Sequence, residues 1–111
     1  MSSGMTPFDP VGNTMAVTLG AANVQTALPQ AIGSGTPQCQ IYNASAFDAF
    51  VVFGVASAVA VIPTSGTPAN GFPIAKGATI VLTPPPQAAF VGIIGPTGAS
   101  GTVYLSFGEG N

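Results

Sequence analysis

A chain of 111 residues with one cysteine, no histidine and only four charged residues (Asp9, Asp48, Lys76 and Glu109) departs from an ordinary soluble domain, where roughly 28 would be charged. It is long enough for one hydrophobic core and too short for two, and its 47% hydrophobic content excludes the disordered class, which pairs low hydrophobicity with high net charge. One basic residue cannot neutralise a run of phosphates or hold an anionic bilayer, so neither nucleic acid nor a membrane is expected as a partner.

In chain order, the first dozen residues read as an extended arm. Pro7, Pro10 and Gly12 break any regular element, and Met5, Phe8 and Val11 suffice to dock on a neighbour but not to form a core. No basic and then apolar leader is visible in Met1–Pro7, so no secretion signal is expected. Met15, Val17 and Leu19 then alternate with Ala16 and Thr18, the period of a half-buried strand. Val24–Leu28 follows as a second short strand, and Gly33, Ser34 and Gly35 mark a loop over 29–37. Over Gln38–Asn43, Cys39 and Ile41 share one face while Gln38, Gln40 and Tyr42 share the other. Asn43–Ser45 is a turn into Phe50–Val55, the most strongly β-forming run of the chain.

A small-residue break separates that run from a further strand expected over Val59–Ile62, and Pro63–Pro73 reads as a long loop. The uncharged stretch 49–62 falls short of the roughly 20 residues that span a bilayer, and two buried strands account for it better. Lys76-Gly77 turns into a strand over Thr79–Thr83, which Pro84, Pro85 and Pro86 stop. Ala89–Ile94 is the next strand, and Gly95-Pro96-Thr97-Gly98 the next turn. In the last strand Val103, Leu105 and Phe107 face in, with Thr102, Tyr104 and Ser106 facing out; Phe72 and Phe90 are also expected in the core. The sum is an all-β fold: a single-domain β-sandwich or jelly-roll-like barrel of seven or eight strands over residues 15–111, with an extended N-terminal arm over residues 1–14.

The residues that usually carry chemistry are scarce. Acid–base catalysis draws on histidine or on paired carboxylates of separated pKa, and here the three acidic residues fall in the arm, a turn and the tail. Lys76 precedes a glycine in a solvated turn, which does not prime an amine as a nucleophile or base. Cys39, alone in an alternating stretch, reads as a buried structural thiol. No closely spaced oxygen-ligand loop offers a metal site, and no phosphate cradle is present, so no catalytic residue, metal or cofactor is expected. Tyr42 and Tyr104 occupy the polar phase of their strands and, with Met5, Phe8 and Val11, are the candidate interface residues; two exposed tyrosines suit a protein contact or a sugar platform. A neutral exterior has little charge repulsion to keep copies apart, which points to a surface covered within a permanent assembly.

From Gln38 onward, Phe50-Val51-Val52-Phe53-Gly54, Gly66-Thr67-Pro68, Phe72-Pro73-Ile74-Ala75-Lys76-Gly77, Thr79-Ile80-Val81-Leu82 and the closing Val103–Gly110 form a pattern over about two-thirds of the chain. In this the sequence resembles the small minor virion proteins of tailed bacteriophages, of the capsid decoration or cement type. The resemblance implies a structural protein with no enzymatic activity, made in the host cytoplasm and carried on the capsid surface of the virion. It would be a homo-oligomer (dimer or trimer) that stabilises the shell by bridging neighbouring subunits of the major capsid protein. A neck, head-fibre or tail protein, or a carbohydrate-binding β-sandwich module using Tyr42 and Tyr104, are the alternatives.

Overall fold

The computed structural model describes residues 14–28, 36–85 and 87–110. The arm residues Met5, Phe8 and Val11 lie outside the described residues. Thr14, counted with the arm in the sequence reading, is already the first residue of a strand.

Eight strands are formed: β1 (Thr14–Thr18), β2 (Val24–Ala27), β3 (Thr36–Asn43), β4 (Ala49–Gly54), β5 (Phe72–Ile74), β6 (Thr79–Leu82), β7 (Phe90–Ile94) and β8 (Thr102–Gly110). They build two antiparallel four-stranded sheets, ordered β1-β8-β3-β6 and β2-β7-β4-β5. Of the sequential pairs, only β4 and β5 are hydrogen-bonded neighbours; every other connection carries the chain from one sheet to the other. One core cluster joins Val17, Cys39, Ile41, Val103 and Leu105 of the first sheet to Ala49, Val51, Ile74, Val91 and Ile93 of the second. The fold is therefore a β-sandwich, and the alternation read in β3 and β8 is the reason: each strand sends every second side chain into that shared core.

Four elements differ from the sequence reading. β3 starts at Thr36, inside the expected loop, because β8 runs on to Gly110 and supplies partners for it. Pro37 is tolerated there because β6 pairs only with Cys39–Tyr42, leaving β3 a neighbour on one side alone. Phe72 and Pro73, also expected in a loop, form β5 with Ile74; it is an edge strand, where Pro73 can sit opposite Phe50 without breaking a ladder on its far side. Val59–Ile62 is not a strand; it crosses the outside of the β2-β7-β4-β5 sheet and finds side-chain partners instead of a ladder. Phe72 is not core: it is half exposed on β5, while Phe107 is buried and Phe90 is partly covered.

The corner between β3 and β4 is held by a buried polar knot. Asn43, with no exposed surface, donates through Nδ2 to the carbonyls of Phe47 (2.8 Å) and Ile74 (3.0 Å). Its Oδ1 accepts from the Ser45 amide (3.1 Å) and lies 2.6 Å from the Ser45 hydroxyl. Both donors and the acceptor of the side chain are thus used, as burial of an amide requires. The knot ties the β3–β4 turn to β5, and so one sheet to the other.

Candidate functional site

Every second residue of the β1-β8-β3-β6 sheet points away from the core, and the strand registers arrange these residues in rows. One row runs Ala16, Tyr104, Tyr42, Thr79; the next runs Thr14, Ser106, Gln40, Val81. Thr18 and Thr102 begin a third. No carboxylate, ammonium or guanidinium stands in these rows. The Thr14 and Ser106 hydroxyls bond to each other across β1 and β8 at 2.9 Å. At the centre, Tyr42 and Tyr104 are direct cross-strand partners, 43% and 40% exposed, with ring centroids 6.3 Å apart and planes inclined by 13°. Near-parallel offset rings at this distance attract beyond what area burial alone supplies. Both tyrosines were legible as outward-facing; that they touch was not, because it depends on the pairing of two strands far apart in sequence.

The other outer face is closed by the chain itself. Gly54 of β4 and Gly92 of β7 point outward there, and a Cβ on either would strike the backbone carbonyl of Ser57 or Ala58. The segment 55–62 can lie this close only because those positions lack side chains. Its backbone is satisfied by amide side chains. Gln25 Oε1 accepts from the Ala58 amide (2.6 Å), and Asn23 Oδ1 accepts from Ala60 (2.8 Å) while its Nδ2 donates to the Ala58 carbonyl (3.1 Å). Asn70 likewise accepts from the Val61 amide (2.9 Å) and donates to the Val59 carbonyl (3.0 Å). Ala58 and Ala60 are buried by this, whereas Val55, Val59 and Val61 face solvent.

A third feature is an apolar groove of about 340 Å³ at the lateral edge of the sandwich, where β6 and β5 flank its mouth. The exposed Phe72 that the sequence reading places in the core lines this groove. The local signal for it is the proline run: Pro84 and Pro85 come one residue after β6, so the strand stops at Leu82 and, among the described residues, nothing extends the edge.

The groups with chemical potential are placed as follows. Cys39 is buried in the core between the sheets, and burial pushes its thiol from 9.0 up to about 12, so it stays protonated at neutral pH. The folded state holds that proton longer than the unfolded chain, so its linkage lowers stability as pH rises from about 9 towards 12 and has no effect below that range. Lys76 is exposed in the turn after β5, and its backbone amide, not its ammonium, donates to Asp48 Oδ1 at 3.2 Å. Among the described residues no three histidine, cysteine or acidic residues stand close enough to hold a metal ion, and no helix is long and apolar enough to cross a membrane. Comparison with protein-family models, curated proteins and solved structures finds no match to this chain.

Proposed function

We propose that this chain is a structural subunit of a protein shell, a virion protein of the capsid decoration type that stabilises the shell by bridging neighbouring major capsid subunits. The observation that carries this reading is the outer face of the β1-β8-β3-β6 sheet, where the rows around a central tyrosine pair carry no charged side chain. Charged side chains are depleted in the cores of interfaces, and tyrosine is enriched there because it brings a large, nearly rigid contact area with one polar tip. On a free protein such a face forgoes the charge that keeps copies apart; under a partner it needs none. The geometry asks nothing of the described residues as catalysts, and the role is mechanical: hidden neutral surface across a joint raises the free energy needed to open it.

The test is the mass of the native particle that contains the chain, followed by occupancy of that particle by a Tyr42→Lys, Tyr104→Lys double variant. A megadalton shell, with occupancy lowered at least tenfold in the folded double variant, is the expected result. A native chain recovered only as a small free species overturns the proposal. The second reading, a carbohydrate-binding module, draws support from the same near-parallel rings flanked by Gln40, Thr79 and Ser106. A glycan array separates the two, since loss of a glycan signal in Tyr104→Ala favours the module.

A further inference from the structure

Among the described residues, no strand closes the lateral edge of the sandwich that β6 and β5 form. β5 pairs only with Ala49, Phe50 and Val51, so the second half of β4 has no neighbour on that side. Opposite it, β6 ends at Leu82 and the prolines that follow cannot continue the ladder. Between these two short edges lies the groove of about 340 Å³, walled by Val51, Val52, Phe53, Phe72, Leu82 and Pro85. None of its walls is charged, and its volume is at the small end of the roughly 300–1,000 Å³ that holds a ligand.

The same chain carries a segment of matching chemistry. Met5, Phe8 and Val11 recur every third residue, with Pro7 and Pro10 between them. Proline presets φ near −65°, and a spacing of three is the period of a polyproline II segment, so all three apolar side chains would fall on one side. Such segments dock in aromatic-lined grooves with little ordering entropy left to lose.

Reach decides whose groove is filled. Residues 1–13 join the sandwich at β1, the edge strand opposite β6, three strand spacings away. At about 4.8 Å per spacing that is roughly 14 Å in a straight line, and longer around the sheet. Val11 stands three residues before Thr14 and extends at most about 11 Å from it, so it falls short of its own chain's groove. A neighbour's arm has no such restriction. We propose that residues 5–11 of one copy dock through Met5, Phe8 and Val11 into the groove between β6 and β5 of a second copy. The contact is head-to-tail, and it closes as a reciprocal pair or a small ring. This rests on the assembly reading above and adds to it the partner and the place of the contact.

Two variants test it by complementation: a chain lacking residues 1–13, and a full-length chain with Phe72→Asp. The first offers a groove without an arm, the second an arm without a working groove. Native mass spectrometry should show oligomers of the unaltered chain, monomers of each variant alone, and a 1:1 heterodimer when the two are mixed. Phe72 is half exposed, so its replacement leaves the core intact; Thr83→Arg at the exposed rim is the second block if Phe72→Asp does not fold. Variants that remain oligomeric alone would overturn the arm inference while leaving the assembly reading standing. Monomers that fail to combine, or an unaltered chain that stays monomeric, also overturn the inference; shell occupancy of the tyrosine double variant then judges the assembly reading separately.

Discussion

On its outer surface the β2-β7-β4-β5 sheet presents Gly54 and Gly92, and residues 55–62 lie directly against them. The matching central strands of the other sheet, β3 and β8, present Gln40, Tyr42, Tyr104 and Ser106 outward. Among the described residues no segment covers these four. The two faces thus differ in which groups satisfy them. On the covered face, Asn23, Gln25 and Asn70 spend their amides on the backbone of 58–61, and two alanines are buried beneath it. On the open face the polar groups are hydroxyls and amides turned outward, with an aromatic pair at the centre. A glycine in a strand marks backbone lying close above it; the larger side chains at the equivalent places on β3 and β8 leave no room for a segment to lie that close.

The largest loss is expected where the two sheets are tied together, at a residue that belongs to neither outer face. Asn43→Leu removes the Asn43 partner of the Ile74 carbonyl and the Ser45 amide and leaves the Phe47 carbonyl with the Ser45 hydroxyl alone. Denaturant unfolding should show about 4 kcal/mol lost, the sum of several unsatisfied buried groups. Next comes the covered face. Gly92→Leu drives a side chain into the Ala58 carbonyl and Asn23 Oδ1, and about 3 kcal/mol is expected to go. The counterpart on the open face, Ser106→Leu, should stay within about 0.5 kcal/mol, since only an exposed hydroxyl pair is lost. Equal losses at the two positions would break the comparison.

A smaller and more local effect is expected from Asn23→Ala, which removes the partners of Ala58 and Ala60. About 2 kcal/mol should be lost. Hydrogen exchange should speed up at residues 58–61 first, with β3 and β8 unchanged relative to global stability. A smaller stability change than at Asn23 belongs to Tyr104→Lys. Losing the ring pair removes about 0.5–1.5 kcal/mol, while association through the open face should fall far more than stability does. A variant that binds its partners normally would remove this face from the assembly contact.

Much of this architecture was legible from short stretches of residues. Cys39 and Ile41 alternate with Gln40 and Tyr42, and Val103, Leu105 and Phe107 with Tyr104 and Ser106, and the structure buries and exposes them in that phase. Such phase is local, because successive side chains of an extended backbone point to opposite sides whatever lies beyond. The all-β class, the inward faces of β3 and β8, the proline stop after β6 and the sparsely charged exterior all follow from the sequence alone. What an extended segment pairs with is not local. Val59–Ile62 has the composition of a strand, yet the positions beside it are taken by Asn23, Asn70 and the glycine-lined sheet. Phe72 has the composition of a core residue, yet it sits on a three-residue edge strand at the mouth of a groove. The meeting of Tyr42 with Tyr104 likewise required β3 and β8 to pair across some sixty intervening residues. Side-chain direction is written in the backbone, whereas the neighbour that a side chain meets is chosen only when distant strands close on one core.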